Sequence, residues 1–345
     1  MKKLQTVFIA IVLMLAAASC SKQKTQPAEK APALPPVKKV TIGFSIDTLA
    51  IERWQRDLDI FINKAKELGA EVIVQNAGNS IEEQNKQLLY LMNKTDAIVV
   101  LPKDASSITE SIQKIKSKGI PVISYDRLTL NAGIDLYMTI DSKKVGEYMA
   151  LNMLRHTTGT NWYFILGPEE DYNMTLIYEG IKRVLRDGPV KMNHVFHTEN
   201  WNYDLSYQEM VRILKSDVFP DAIICGNDAV ASSVIQAITR YYPDIHIPVC
   251  GQDADIAACQ YIVQGKQDFT IYKPIMRLAE LTAECAVAMA KGIPLPAEGV
   301  RTSKINNGYA DIQTIWLEPE YVDIYNLDKV IIDSGFHSAA SIYKN

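Results

Sequence analysis

The sequence predicts an α/β protein of two lobes, each a parallel β-sheet doubly wound with helices. Three observations carry that reading. The 345 residues suffice for two domains at about 150 residues each. Short runs rich in Val and Ile alternate with amphipathic stretches, the pattern of β–α–β crossovers feeding a parallel sheet. The alternation then restarts and runs its course a second time.

The first series of apolar runs is Val40–Ile46, Glu71–Gln75, Ala97–Leu101, Pro121–Tyr125 and Tyr137–Ile140. Several are apolar throughout, as strands covered on both faces are. In the first stretch between them, Ile51, Trp54, Leu58, Phe61, Ala65 and Leu68 fall on one helical stripe. Gly69 and Gly119 stand where two helices should stop. The second series is Trp162–Leu166, His194–His197, Ala222–Cys225, Pro248–Cys250 and Phe269–Tyr272. From Val300 to Tyr325 the helical stripe disappears, leaving strands and turns around Asn306-Asn307-Gly308 and Pro319. That composition suits a chain crossing back between lobes.

Ahead of both lobes stands a different kind of sequence. Lys2 and Lys3 precede sixteen uncharged residues, Leu4 to Ser19, which end in Ala16-Ala17-Ala18-Ser19 before Cys20. A basic start, an apolar run and small residues read as a secretory signal peptide over 1–19. The run falls short of the roughly 20 residues that span a bilayer core. Small residues directly before Cys20 also match a bacterial lipobox, so Cys20 is the candidate lipidation site. Residues 20–37, rich in Lys, Gln, Ala and Pro, then form a tether that cannot bury a core. The expected location is the periplasmic or cell-surface side of a membrane, with membrane contact through the lipid alone.

Composition excludes several classes. A formal net charge of −4, or −6 once residues 1–19 and their two lysines are removed, argues against a nucleic-acid partner. Cys225, Cys250, Cys259 and Cys285 lie at strand ends or on apolar helix faces and read as buried free thiols, although export leaves one disulfide open. No Gly-x-Gly-x-x-Gly, phosphate loop or nucleophile elbow is present. The five histidines form no ligand pair at helical spacing, and His194 and His197 alternate faces on a strand. Acids are plentiful, but nothing singles out a glycosidase pair. No enzyme, cofactor or metal is expected.

Ligands of open parallel sheets bind beyond the carboxyl ends of the strands. Those positions are unusually polar here: Asp47, Glu52, Arg53 and Trp54, then Lys103-Asp104, Asp126-Arg127, Glu169 to Asn173, Trp201, Asn227-Asp228, Asp253 and Lys273. Cys225-Gly226-Asn227-Asp228-Ala229 is echoed by Cys250-Gly251-Gln252-Asp253-Ala254. Asp228 and Asp255 suit helix caps, whereas Asn227 and Asp253 suit ligand contact. Paired acids and amides beside Arg and Lys match adjacent hydroxyls on a rigid ring. Trp54 and Trp201 offer planes for its C–H face, and the mixed charge suits a neutral polyol better than an anion. Trp54 fits the core stripe equally well.

Ile51-Glu52-Arg53-Trp54-Gln55-Arg56-Asp57, Tyr125-Asp126-Arg127, Gly226-Asn227-Asp228-Ala229, Gly251-Gln252-Asp253-Ala254-Asp255 and Tyr272-Lys273-Pro274 resemble the pentose- and hexose-binding group of periplasmic substrate-binding proteins. The resemblance runs in order from Val40 to Phe336 and includes Asn306-Asn307-Gly308 and Asp333-Ser334-Gly335-Phe336-His337. It implies the type I periplasmic binding protein fold, two lobes joined by a three-strand hinge. The lobes would be 38–142 with 274–305, and 143–273 with 306–345. It further implies a pyranose ligand, D-xylose first, hydrogen-bonded by Arg53, Asp126, Arg127, Asn173, Asn227, Asp253 and Lys273 and stacked on Trp54. Where the group carries a second stacking tryptophan a few residues beyond Trp201, this chain has Leu205, so Trp201 or Tyr203 would have to supply that face. The implied partner is an ABC permease, or alternatively a membrane histidine kinase or chemoreceptor read through the same sugar site. The lactose-repressor family shares such lobes but begins with a DNA-binding headpiece, where this chain has a signal and tether.

Overall fold

A computed structural model describes residues 39–216, 218–296 and 299–343. Cys20 and the expected signal and tether lie outside the described residues. The chain opens with β1 (Thr41–Ile46), α1 (Glu52–Glu67), β2 (Glu71–Asn76), α2 (Ile81–Leu91), β3 (Ala97–Val100), α3 (Thr109–Ser117), β4 (Val122–Tyr125) and β5 (Leu136–Ile140). The second series is α4 (Ser142–His156), β6 (Asn161–Leu166), α5 (Tyr172–Leu185), β7 (Lys191–His197), α6 (Tyr203–Leu214), β8 (Ala222–Cys225), α7 (Asp228–Tyr241), β9 (Val249–Gln252), α8 (Ile256–Val263) and β10 (Phe269–Tyr272). It closes with α9 (Ile275–Lys291), β11 (Arg301–Asn306), β12 (Asp311–Leu317), β13 (Glu320–Asp323) and α10 (Ala339–Ile342).

These strands make two sheets, one ordered β11-β12-β5-β4-β3-β1-β2 and the other β13-β10-β9-β8-β6-β7. Every pairing is parallel except β11 with β12 and β10 with β13. The all-apolar runs became the fully buried strands β3 and β8, because helices cover both faces. In the first lobe Phe44, Phe61 and Leu278 join β1, α1 and α9 on one face, while Leu88, Leu91, Ile112 and Ile115 of α2 and α3 cover the other. In the second lobe α4 and α5 pack on one face and α6 and α7 on the other.

Two glycines let α4 and α5 cross almost backbone to backbone. A Cβ on Gly146 would lie 1.9 Å from the Ile177 carbonyl oxygen, and one on Gly180 would lie 2.1 Å from that of Lys143. Cys225, Cys250, Cys259 and Cys285 are buried and free. No helix of the described residues is long and apolar enough to cross a membrane.

The chain passes between the sheets three times, from β5 to α4, from β10 to α9 and from β12 to β13. The last passage corrects the sequence expectation, which placed it at residue 306. Asn306-Asn307-Gly308 instead turns a hairpin within the first sheet, with Gly308 at φ 88°. The Asn307 amide anchors that turn by donating to the Thr129 and Ala132 carbonyls. Strand β12 then pairs with β5 in the first sheet, and the crossing falls between Leu317 and Glu320. The Asp141 N–H donates to the Leu317 carbonyl (3.1 Å), tying the first and third passages together.

Candidate ligand-binding site

The carboxyl ends of both sheets face one cleft. Arg53, Trp54, Asp126, Arg127, Asn173, Trp201, Asn227, Asp253 and Lys273, the site residues expected from sequence, line a single cavity there. With Ile51, Asp171, Met174 and Gln252 they surround a cavity of about 30 Å³, well below the roughly 300–1,000 Å³ of ligand pockets. It adjoins a wider cleft walled by Asp47, Lys103, Glu170 and Tyr203.

Helix α1 contributes first. Its buried face is apolar from Leu58 onward, yet its first turns bury Arg53 and Asp57 beside Trp54. The Arg53 guanidinium bonds Asp126 and lies 3.6 Å from Asp57 and 3.7 Å from Asp253. Arg127 pairs with Asp47 at 2.5 Å and Asp171 at 2.8 Å. Burial alone would depress both guanidinium pKa values; the surrounding carboxylates outweigh it and hold both firmly charged. Burial likewise opposes ionisation of Asp126, but Arg53, Lys273 and Arg127 together keep its pKa below the ordinary value. Asp57 is further from compensation, and burial lifts it to about 7 despite Arg53 and a 2.6 Å hydrogen bond from the Tyr125 hydroxyl.

From the second lobe, Lys273 pairs with Asp253 at 2.6 Å and the Asn173 amide donates to Asp126 at 2.7 Å. The contacts Arg127–Asp171, Arg53–Asp253 and Asn173–Asp126 therefore reach from one lobe to the other. Several buried polar atoms of the lining residues have no hydrogen-bond partner among the described residues: Trp54 Nε1, Arg127 Nε, Asn173 Oδ1, Gln252 Oε1 and Arg53 Nε, the last 3.6 Å from the Asp57 carboxylate. Buried groups of that kind are costly unless something pairs with them.

Trp54 is at once a core residue and a residue of the cavity wall. It packs in the core cluster of α1 and α9 and lines the cavity, with Arg53 and Arg127 guanidinium carbons 4.4 and 5.5 Å from its ring centroid. Trp201 lies across Gly167, where a Cβ would come within 2.3 Å of its ring. Its indole N–H donates to Asp171 at 3.3 Å. Tyr203 stands in the wider cleft, its phenol pushed up to about 12 by burial, and Leu205 is not among the lining residues.

The echoed loops depart from one expectation. Asn227 is the residue that caps α7, its side chain accepting the Val230 N–H at 2.9 Å. Asp228 does not cap; its carboxylate accepts from Gln267, Thr270 and the Asp255 N–H. Asp255 precedes α8 without a side-chain cap bond. For Asp228 the difference is one residue of register, since the cap belongs to the last non-helical position, which is Asn227; Asp255 does hold that position before α8 but makes no cap bond. Asp171 and Gln252 line the cavity without having been assigned to it. Gln252 holds Asn227's place in the echo, so the repeat itself carried that signal.

Two doubly wound lobes meeting over a charged and aromatic cleft define a two-lobed binding protein. The profile of a periplasmic binding protein domain matches residues 42–294. The chain is 36% identical over 314 residues to the D-xylose-binding periplasmic protein of Haemophilus influenzae, covering 89% of this chain and 93% of that protein. It is 33% identical to the D-xylose-binding periplasmic protein of Escherichia coli K12, covering 88% and 93%. Among solved structures, an ABC transporter solute-binding protein of Clostridium phytofermentans with bound β-D-glucose matches with TM-score 0.80 and 27% identity, over 88% of this chain and 99% of that one. A carbohydrate transporter solute-binding protein of Chloroflexus aurantiacus in complex with D-glucose matches with TM-score 0.81 and 25% identity, over 88% and 98%. The chain belongs to the periplasmic binding protein family.

Proposed function

We propose that this protein is an extracytoplasmic receptor that binds a monosaccharide, D-xylose first, between its lobes and delivers it to an ABC importer. The observation that carries the reading is the set of buried, unpaired donors and acceptors around one small cavity bordered by Trp54 and Trp201. Ring hydroxyls both donate and accept, so they can satisfy Arg53 and Arg127 N–H groups and the Asn173 and Gln252 oxygens together. The indole faces suit the C–H side of a pyranose. Carboxylates and cations alternate around the space, which favours a neutral ligand over an anionic one. The two D-xylose-binding relatives, at 36% and 33% identity over most of their length, support the choice of sugar. Acylation at Cys20 would hold the receptor at the membrane through its tether, a reading supported by the small residues before that cysteine.

Ligand bound only by the native state raises stability by about 2.7 kcal/mol at a hundredfold excess over Kd. A thermal-shift screen over pentoses and hexoses should show its largest rise with D-xylose. Stabilisation by no monosaccharide would overturn the assignment, and a larger rise with another sugar would replace D-xylose alone. Metabolic labelling with a fatty-acid probe, lost in Cys20→Ala, tests the anchor.

A further inference from the structure

Asp253 sits on an unusual backbone. Its φ is 101° and that of Ala254 is 55°, conformations that side-chain-bearing residues adopt only when their surroundings impose them. Three groups away from the cavity impose it here. The Thr270 hydroxyl, on neighbouring strand β10, accepts the Ala254 N–H at 3.4 Å and donates to Asp228 at 2.7 Å. The Asp228 carboxylate also accepts the Asp255 N–H at 3.1 Å and the Gln267 amide at 2.9 Å. From the C-terminal segment, the His337 ring bonds the Ala254 carbonyl at 2.8 Å. Asp228, Thr270 and Gln267 are buried and absent from the cavity lining.

The same residues stitch the two echoed loops together. Asp228 packs so closely on Gly251 that a Cβ there would lie 2.3 Å from its Oδ1. In return, the Gln252 amide donates to the Gly226 carbonyl at 2.7 Å. Asn227 and Asp253, one from each loop, are thereby set at a fixed spacing on the cavity wall.

We propose that Asp228 and Thr270 are positioning residues, which never touch the ligand but hold the turn that aims Asp253 into the cleft. The inference rests on the sugar-binding reading of that cleft. A hydroxyl at residue 270 is needed because it must both accept from Ala254 and donate to Asp228, which valine, of the same shape, cannot do.

The test is calorimetric titration with D-xylose of the full mature chain, its fold checked by circular dichroism. Thr270→Val and Asp228→Asn should each weaken binding about tenfold or more, and Thr270→Ser should restore it to within about twofold of the unaltered protein; tenfold corresponds to about 1.4 kcal/mol. Placed on an Asp253→Asn background, Thr270→Val should cost little further, because the residue it aims is already disabled. General loosening of the lobe would instead weaken both backgrounds equally. Undiminished binding by Thr270→Val and Asp228→Asn, or equal losses on both backgrounds, overturns the inference while leaving the function intact. Absence of binding by the unaltered protein to any pentose or hexose overturns the function, and the inference with it.

Discussion

Arg53 shows how single residues set this site. It is buried among Asp57, Asp126 and Asp253, an arrangement in which each charge is tolerated only because the others are present. Removing a member leaves its partner stranded. Arg127→Ala, which abandons Asp47 and Asp171, and Asp253→Ala, which abandons Lys273, should each weaken ligand binding by about 1–3 kcal/mol in calorimetry. Asp57 gives a pH signature. Its carboxyl titrates near 7 in the fold, against 3.8 ordinarily, because burial disfavours the charge. Between about pH 4 and 7 the folded chain keeps a proton that the unfolded chain releases, so this group lowers stability as pH rises and its effect levels off above 7. Asp57→Asn should therefore gain on the unaltered protein across that window in urea denaturation, and hold a constant difference above it. The cavity-lining residues were legible because they follow strand ends, and the resemblance to sugar-binding proteins picked most of them out of that wider set. Asp57 was not, since its burial beneath the Tyr125 hydroxyl of β4 joins residues far apart in the chain.

At the scale of elements, close crossings and turns carry the load. Gly146→Ala or Gly180→Ala would drive a methyl into the backbone of the opposing helix and should destabilise the protein by about 1–3 kcal/mol or more, seen as a lower Tm without loss of affinity in the surviving fold. Gly167→Ala should act differently. Its methyl meets the Trp201 ring, so binding should weaken beyond the drop in stability. Strand existence was readable from sequence because strands covered on both faces are apolar throughout, as β3 and β8 are. The role of Asn306-Asn307-Gly308 was not, since the same turn residues serve a hinge and a hairpin equally. Pairing of β12 with β5, a relation over some 175 residues, decided it. The cap at Asn227 was missed by one position for a related reason: Asn227 and Asp228 both suit a cap, and Thr270 and Gln267 claim Asp228 through contacts distant in sequence.

The whole molecule is organised by its three passages between lobes. The first and third of them lie side by side, where the Asp141 N–H donates to the Leu317 carbonyl. Lys103 of the first lobe and Asn200 of the second meet at 3.1 Å near the rim, alongside the Arg127–Asp171 pair. Groups from both lobes thus line one space, and a ligand that bonded both sets would favour the arrangement that brings them together by the difference in contacts it made there. The most direct measurement is a calorimetric titration of the mature chain with D-xylose, repeated with Asp253→Ala. The account predicts one saturable site per chain in the unaltered protein and a clear loss of affinity in the variant. No binding of D-xylose or any other monosaccharide, or equal affinity in the two proteins, would contradict it.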